Sequence, residues 1–160
     1  MPNNFSGCEI VELAMQIEKN GKEFYNTLNE EWSSPAIGGI FEYLAGQEEK
    51  HIEMFSKIFD GVCGHDPEEA YPEEYDAYMR ALAGQYVFTE KNKGEMIAKG
   101  VKSLEEGIDL AIGFEKDSIL FYEEVKKNVP EISANLVEDI ISEEKIHLEK
   151  LCAHKGGCEL

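Results

Sequence analysis

The feature that most constrains this chain is a pair of Glu-x-x-His steps, Glu48 with His51 and Glu144 with His147. On a helix, residues three apart share a face with their Cβ atoms about 5–6 Å apart. A carboxylate and an imidazole placed that way can grip one metal ion from one helix. A single such step is weak evidence, because Glu and His meet at this spacing by chance in many amphipathic helices. Two steps, each preceded at a similar distance by another Glu on an apolar face, are a strong constraint. They match the ligand arithmetic of a dinuclear carboxylate site in a four-helix bundle: one Glu from each of two helices, one Glu-x-x-His from each of the other two.

The lone Glu residues emerge from an internal repeat. Residues 6–25 align with 103–122 through identities at Ser6/Ser103, Glu9/Glu106, Leu13/Leu110, Ala14/Ala111, Glu18/Glu115, Lys19/Lys116, Phe24/Phe121 and Tyr25/Tyr122. At an offset of 96, Glu48 falls on Glu144 and His51 on His147, with Ile40/Leu136, Phe41/Val137, Leu44/Ile140 and Ile52/Leu148 keeping the apolar face. The chain therefore reads as two duplicated helical hairpins, and its site should be pseudo-symmetric.

Helix one is expected from Ser6, where Ser6-x-x-Glu9 forms a capping box. Ile10, Leu13, Ala14, Ile17, Gly21, Phe24 and Leu28 give its apolar face at helical period, with Glu18 inside it and Tyr25 two turns on. Ser34 and Pro35 suit the start of helix two, expected from about Ile37 to Phe59 with Phe41, Leu44, Glu48, His51, Phe55 and Ile58 along one face. Glu49 and Glu53 fall off that stripe and read as solvated; Glu143 falls off the stripe of helix four. Helix three starts at a second capping box, Ser103-x-x-Glu106, and runs through Val125. After Pro130, helix four carries Val137, Ile140, Ile141, Glu144, His147, Leu148 and Leu151. The expected organisation is one all-α domain over residues 1–160: a first hairpin at 6–59, a crossover at 60–102, a second hairpin at 103–151 and a tail at 152–160. Within the crossover, Pro72–Leu82 and Glu95–Val101 read as short helices. Its Tyr71, Tyr75, Tyr78 and Tyr86 could cover one end of the bundle or make a subunit contact.

Composition enters through charge and cysteine. A formal net charge of -18 repels nucleic-acid phosphate and anionic membranes, so neither is an expected partner. No apolar run approaches the roughly 20 residues of a membrane helix, and no basic-then-apolar signal segment is seen. The four cysteines, Cys8, Cys63, Cys152 and Cys158, make no Cys-x-x-Cys, which excludes a rubredoxin or zinc-ribbon module from these residues. A disulfide scaffold is not expected in a helical chain of this size, and a reducing cytoplasm is the default location. Cys63-x-His65 and Cys152-x-His154 with Cys158 are candidates for a second metal site or plain surface residues.

Four carboxylates and two imidazoles, Glu18, Glu48, His51, Glu115, Glu144 and His147, are the candidate metal ligands and catalytic residues. Hard oxygen with borderline nitrogen suits Fe(II), Mn(II) and, adventitiously, Zn(II). Four negative charges neutralise two divalent ions and leave solvent positions open, which suits reduction of O2 or peroxide. Glu48 and Glu144 can bridge, with Glu18 and Glu115 capping one ion each. Tyr25 and Tyr122 are candidate donors that orient a ligand carboxylate, or ordinary core aromatics with a bonded hydroxyl. A bundle holding four unpaired buried carboxylates without cations would be costly.

The phrases Ile17-Glu18-Lys19-Asn20-Gly21-Lys22-Glu23-Phe24-Tyr25 and Phe114-Glu115-Lys116-Asp117-Ser118-Ile119-Leu120-Phe121-Tyr122 resemble the helix signatures of the rubrerythrin branch of the ferritin-like superfamily. The resemblance spans all four long helices, and the crossover looks like that of short, rubredoxin-less members. It implies a ferritin-like four-helix bundle whose six candidate residues ligate two iron ions. It also implies reduction of hydrogen peroxide or O2 with oxidation of Fe(II), a role in oxidative stress, a homodimer, and a separate rubredoxin-like electron donor. Peroxidase-active rubrerythrins carry a further Glu one turn after the terminal ligand of helix three, where this chain has Ser118. Haem is not expected, since Glu49 stands where bacterioferritin has its haem-binding Met. The alternative readings are an iron-storage protein of ferritin type, a dimanganese catalase-like protein, and a metal-stabilised bundle without catalysis.

Overall fold

Where the apolar period runs unbroken the chain is helical, and glycine or proline interrupts it. In the computed structural model, which describes residues 7–63, 73–85 and 89–156, α1 is Gly7–Trp32, α2 Ile40–Val62, α3 Glu73–Gln85, α4 Lys93–Lys99, α5 Leu104–Lys127 and α6 Glu131–His154. These elements are all helices, as the sequence predicts. Helix two begins later than expected. Pro35–Ile37 instead forms a 3-10 turn after Ser34, and Gly38 (φ 58°) and Gly39 (φ 72°) then take the left-handed conformation before Ile40. Two left-handed residues in succession end one helical path and start another, which glycine does without a Cβ penalty.

The α5 start follows the expectation closely. The Ser103 hydroxyl accepts from Glu106 N–H at 3.1 Å. The reciprocal bond comes from Lys102 N–H to Glu106 Oε2 at 2.7 Å, one residue before the usual place in a capping box. The first capping box rests on Ser6, which lies outside the described residues, as do Tyr71 and Tyr86. In the crossover, α3 and α4 occupy the two expected helical stretches with shifted ends. Helix α6 continues through Cys152, Ala153 and His154, which the sequence reading assigned to the tail.

Helices α1 and α2 pack as one hairpin and α5 and α6 as the other, with α1 against α5 and α2 against α6 between them. Gly107 near the start of α5 abuts Leu28 near the end of α1, so these neighbours are antiparallel. Tyr43, early in α2, lies under the Lys150 ammonium from late in α6, so that pair is antiparallel too. Helix α2 therefore ends at one end of the bundle and α5 begins at the other. A connection must traverse the bundle length, about 35 Å for a helix of α2's 23 residues. This is the physical reason for the long crossover. Its α4 is fastened to α1: Asn20, fully buried, donates to Glu90 C=O at 2.7 Å and accepts from Gly94 N–H at 3.2 Å. A Cβ on Gly94 would lie 1.9 Å from the Asn20 carbonyl oxygen, so only glycine permits this approach.

One expectation is overturned. Cys8 and Cys63 form a disulfide, Cα–Cα 5.2 Å, and Cys152 is also disulfide-bonded. The start of α1 and the end of α2 lie side by side at one end of the antiparallel hairpin, which spacing along the sequence does not reveal. The sulfurs of Cys63 and Cys152 are thereby consumed, which removes them as ligands of a second metal site; His65 and Cys158 lie outside the described residues. Among the described residues, no helix is long and apolar enough to cross a membrane.

Candidate metal centre

The centre lies midway along the bundle, one residue or pair from each long helix. Glu18 comes from α1, Glu48 and His51 from α2, Glu115 from α5, Glu144 and His147 from α6. All six are buried, with at most 1% of any exposed. Each sits within its helix's apolar stripe, so the packing that forms the core also drives these polar groups inward. Burial of four carboxyls against one another is what the sequence pattern demanded.

Among the described residues the donors fall into two fully buried, overlapping groups and a third, partly buried one of His51, Glu143 and His147. Glu18, Glu48, His51 and Glu144 have ligand-type atoms within 4.8 Å of one another, and so do Glu48, Glu115, Glu144 and His147. Glu48 and Glu144 are shared. His51 Nδ1 lies 3.4 Å from Glu18 Oε2 and 3.2 Å from Glu144 Oε1. His147 Nδ1 lies 2.9 Å from Glu144 Oε2, 3.9 Å from Glu115 Oε2 and 4.0 Å from Glu48 Oε1. Glu144 thus turns one oxygen to each histidine.

The hydrogen bonding shows what the centre is fitted to hold. Glu18 Oε2, both Glu48 oxygens, His51 Nδ1, Glu115 Oε2 and Glu144 Oε1 have no hydrogen-bond partner fixed in the fold. Buried polar atoms are ordinarily satisfied, and an orphaned carboxylate is expensive. Six inward oxygens and nitrogens without donors fit cations, and the oxygen-rich set with two imidazoles fits iron or manganese. The outward atoms are satisfied in a crossed pattern. Tyr25 from the first hairpin donates to Glu115 Oε1 at 2.5 Å, and Tyr122 from the second donates to Glu18 Oε1. Each tyrosine holds one oxygen of the opposite hairpin's Glu and leaves the other facing the centre. Phe55 packs against Tyr122 (ring centroids 4.9 Å) and Phe114 against Tyr25 (6.1 Å), forming apolar walls. Gly21 permits part of this packing, since a Cβ there would meet Phe114 at 2.7 Å and Glu48 Oε2 at 3.0 Å.

The electrostatics of the metal-free chain are those of crowded carboxyls. Burial, then Glu18 and Glu144, push Glu48 well above the usual carboxylate range. Burial, then Glu144, do the same to Glu115, and burial with Glu18 raises Glu144. Burial also works against ionisation of Glu18, but Glu48, His51 and Tyr122 outweigh it and hold Glu18 low. Burial disfavours the His51 cation, yet Glu18 and Glu144 push it up to about 12. His147, by contrast, is lowered, chiefly by burial. Burial, then Glu115, raise the Tyr25 hydroxyl well above its ordinary value, so it remains a donor. Without metal, burial and crowding thus favour proton uptake at Glu48, Glu115 and Glu144, and the carboxylates favour it at His51.

Every sequence-predicted site residue is therefore drawn into one cluster, Tyr25 and Tyr122 included. The residue missed is Glu143. Its Oε2 lies 2.9 Å from His51 Nε2, bridging α6 to α2, although the apolar pattern placed it off the stripe with Glu49. Glu49 behaves as expected, pairing with Lys22 at the surface at 2.5 Å. The signal for Glu143 was its place one turn before His147, on the edge of the stripe facing α2.

A bundle of two crossed hairpins around this donor set defines a protein of the ferritin-like, dinuclear carboxylate class. The Rubrerythrin family profile matches residues 9–155, and the chain belongs to that family. It is also similar to the crystal structure of a candidate ferritin-like diiron-carboxylate protein from Thermotoga maritima, with 28% identity, a TM-score of 0.67 and 97% of each chain covered. A comparison with curated proteins finds no match.

Proposed function

We propose that the chain is a di-iron oxidoreductase that reduces hydrogen peroxide or O2 while oxidising Fe(II). The observation that carries this reading is the pair of overlapping donor groups sharing Glu48 and Glu144. The likeness to a candidate ferritin-like diiron-carboxylate protein, over 97% of each chain, supports it. Glu18, Glu48, His51 and Glu144 would hold one iron ion and Glu48, Glu115, Glu144 and His147 the other, with Glu48 and Glu144 common to both groups. Bound there as two ferrous ions, iron would supply the two electrons of H2O2 + 2 H+ + 2 e− → 2 H2O.

The chain's own residues do the rest. Tyr25 and Tyr122 keep their hydroxyl protons directed at Glu115 Oε1 and Glu18 Oε1, which fixes the carboxylate planes. The aromatic walls around Tyr25 and Tyr122 exclude bulk water from the centre. Ser118, fully buried, stands one turn after Glu115 and offers no further carboxylate. Turnover in this reading is slow unless a separate reductant, of rubredoxin type, re-reduces the site.

The test is single turnover of the anaerobically Fe(II)-loaded chain with substoichiometric H2O2. One peroxide consumed per two Fe(II) oxidised, at a rate well above that of free Fe(II), is the expected result. Oxidation no faster than in free solution, or equally fast in Glu48→Gln, would overturn the reading.

A further inference from the structure

We infer that Glu143 is a positioning residue that makes the two metal positions unequal, with the Glu18–His51 position the tighter of the two. This rests on the dinuclear reading above. Nδ1 of His51 faces Glu18 and Glu144 inside the centre and has no fixed hydrogen-bond partner. Its other nitrogen, Nε2, faces Glu143 Oε2 at 2.9 Å. A neutral imidazole has one lone pair and one N–H. When the Nδ1 lone pair is given inward, the proton resides on Nε2 and is donated to Glu143. The contact therefore selects the tautomer and the ring orientation, and an anionic acceptor raises the donor strength of the ligating nitrogen.

The opposite half has no such hydrogen bond among the described residues: a Glu143 carboxylate oxygen also lies within 4.8 Å of a His147 nitrogen, but its bond is to His51. The 96-residue offset that superposes Glu144 on Glu48 places Gln47 where Glu143 stands. An amide can accept a hydrogen bond but adds no charge. His147 is instead flanked by rings: His51 stacks on it at 5.5 Å, and Tyr43 meets it edge-on at 6.0 Å. By the internal repeat, two halves with the same candidate ligands thus differ at the position before the Glu of each Glu-x-x-His step, Glu against Gln. Glu143 is also placed where the centre approaches the surface, its side chain 41% exposed while His51 is fully buried.

Cobalt(II) titration of the metal-free full chain, followed by visible absorption, tests this. Wild type should bind two equivalents in two steps of unequal affinity. Glu143→Gln should weaken the tighter step by about 10-fold or more, the usual effect of removing such a partner, and leave the other within about twofold. Gln47→Glu should tighten the weaker step and draw the two together, a gain that general damage to the fold cannot produce. Fewer than two equivalents in wild type would remove the dinuclear reading itself. With two bound, equal losses at both steps in Glu143→Gln, or no change at either, overturn the inference. So would a third equivalent that disappears in Glu143→Gln, because Glu143 would then be a ligand.

Discussion

Replacing Glu48 by Gln keeps the side chain's shape and removes its charge, and the effect should reverse sign with metal. In the metal-free chain, burial followed by Glu18 and Glu144 hold the Glu48 carboxyl well above its ordinary value. A group whose folded pKa is raised contributes stability that is complete below its unfolded pKa and lost as pH rises through the folded one. If the buried carboxyl keeps its proton while the unfolded chain ionises near 4.5, folding loses about 1.4 kcal/mol per pH unit above that value. The ceiling is about 4 kcal/mol at pH 7.5 and under about 1 kcal/mol at pH 5. Gln bears none of this. Stripped of metal, Glu48→Gln should therefore melt above wild type, with a difference that widens from pH 5 to pH 7.5. Loaded, it should melt below wild type, because two ions that bind only the folded state add about 5 kcal/mol together, each at a hundred times its Kd, more than the ceiling above, and Glu48 belongs to both donor groups. The assay is thermal melting at both pH values, with chelator and with anaerobic Fe(II), at high salt to screen the surface. A stripped variant less stable than stripped wild type at pH 7.5 would refute the crowded-carboxyl argument. Metal stabilisation equal to wild type's would refute the bridging role.

Three further outcomes are expected. Opening the Cys8–Cys63 bridge, which closes a separation of 55 residues, should cost up to about 4 kcal/mol by chain entropy; Cys8→Ser in denaturant melts checks this, and a loss below about 1 kcal/mol would show that the bridge constrains little. Gly94→Ala should destabilise by about 1–3 kcal/mol as an overpacking change, because its Cβ meets the Asn20 backbone; an unchanged urea midpoint would mean α4 is not docked as described. Tyr25→Phe and Tyr122→Phe should each weaken metal binding by about 10–100-fold through the loss of a partner on a ligand carboxylate; affinities unchanged in both variants would return the two tyrosines to plain core packing.

The bundle and its centre were readable because both obey the same period. Glu18, Glu48, Glu115 and Glu144 lie in stripes whose other members are Ile, Leu and Phe, so the pattern that buries the core buries the ligands. Duplication then supplied the partner of each signal, as Tyr122 did for Tyr25. What escaped the sequence lay between helices rather than along one. The 143-to-51 contact depends on how α6 is rotated against α2, which a one-helix stripe cannot report. The Cys8–Cys63 bridge depends on two helix ends meeting after an antiparallel turn. Even the helix-two boundary was local but two-valued: Ser34-Pro35 does start a helical turn, and the glycine pair that follows ends it.

The central claim is that the six buried ligands hold two metal ions joined by shared carboxylates. The most direct measurement is Mössbauer spectroscopy with iron analysis on the anaerobically reconstituted chain, before and after one oxidative turnover. The account predicts two iron ions per chain, ferrous at first, and after oxidation a coupled diferric pair without net spin in the ground state. One iron per chain, or two oxidised ions that behave as separate paramagnets, would contradict it.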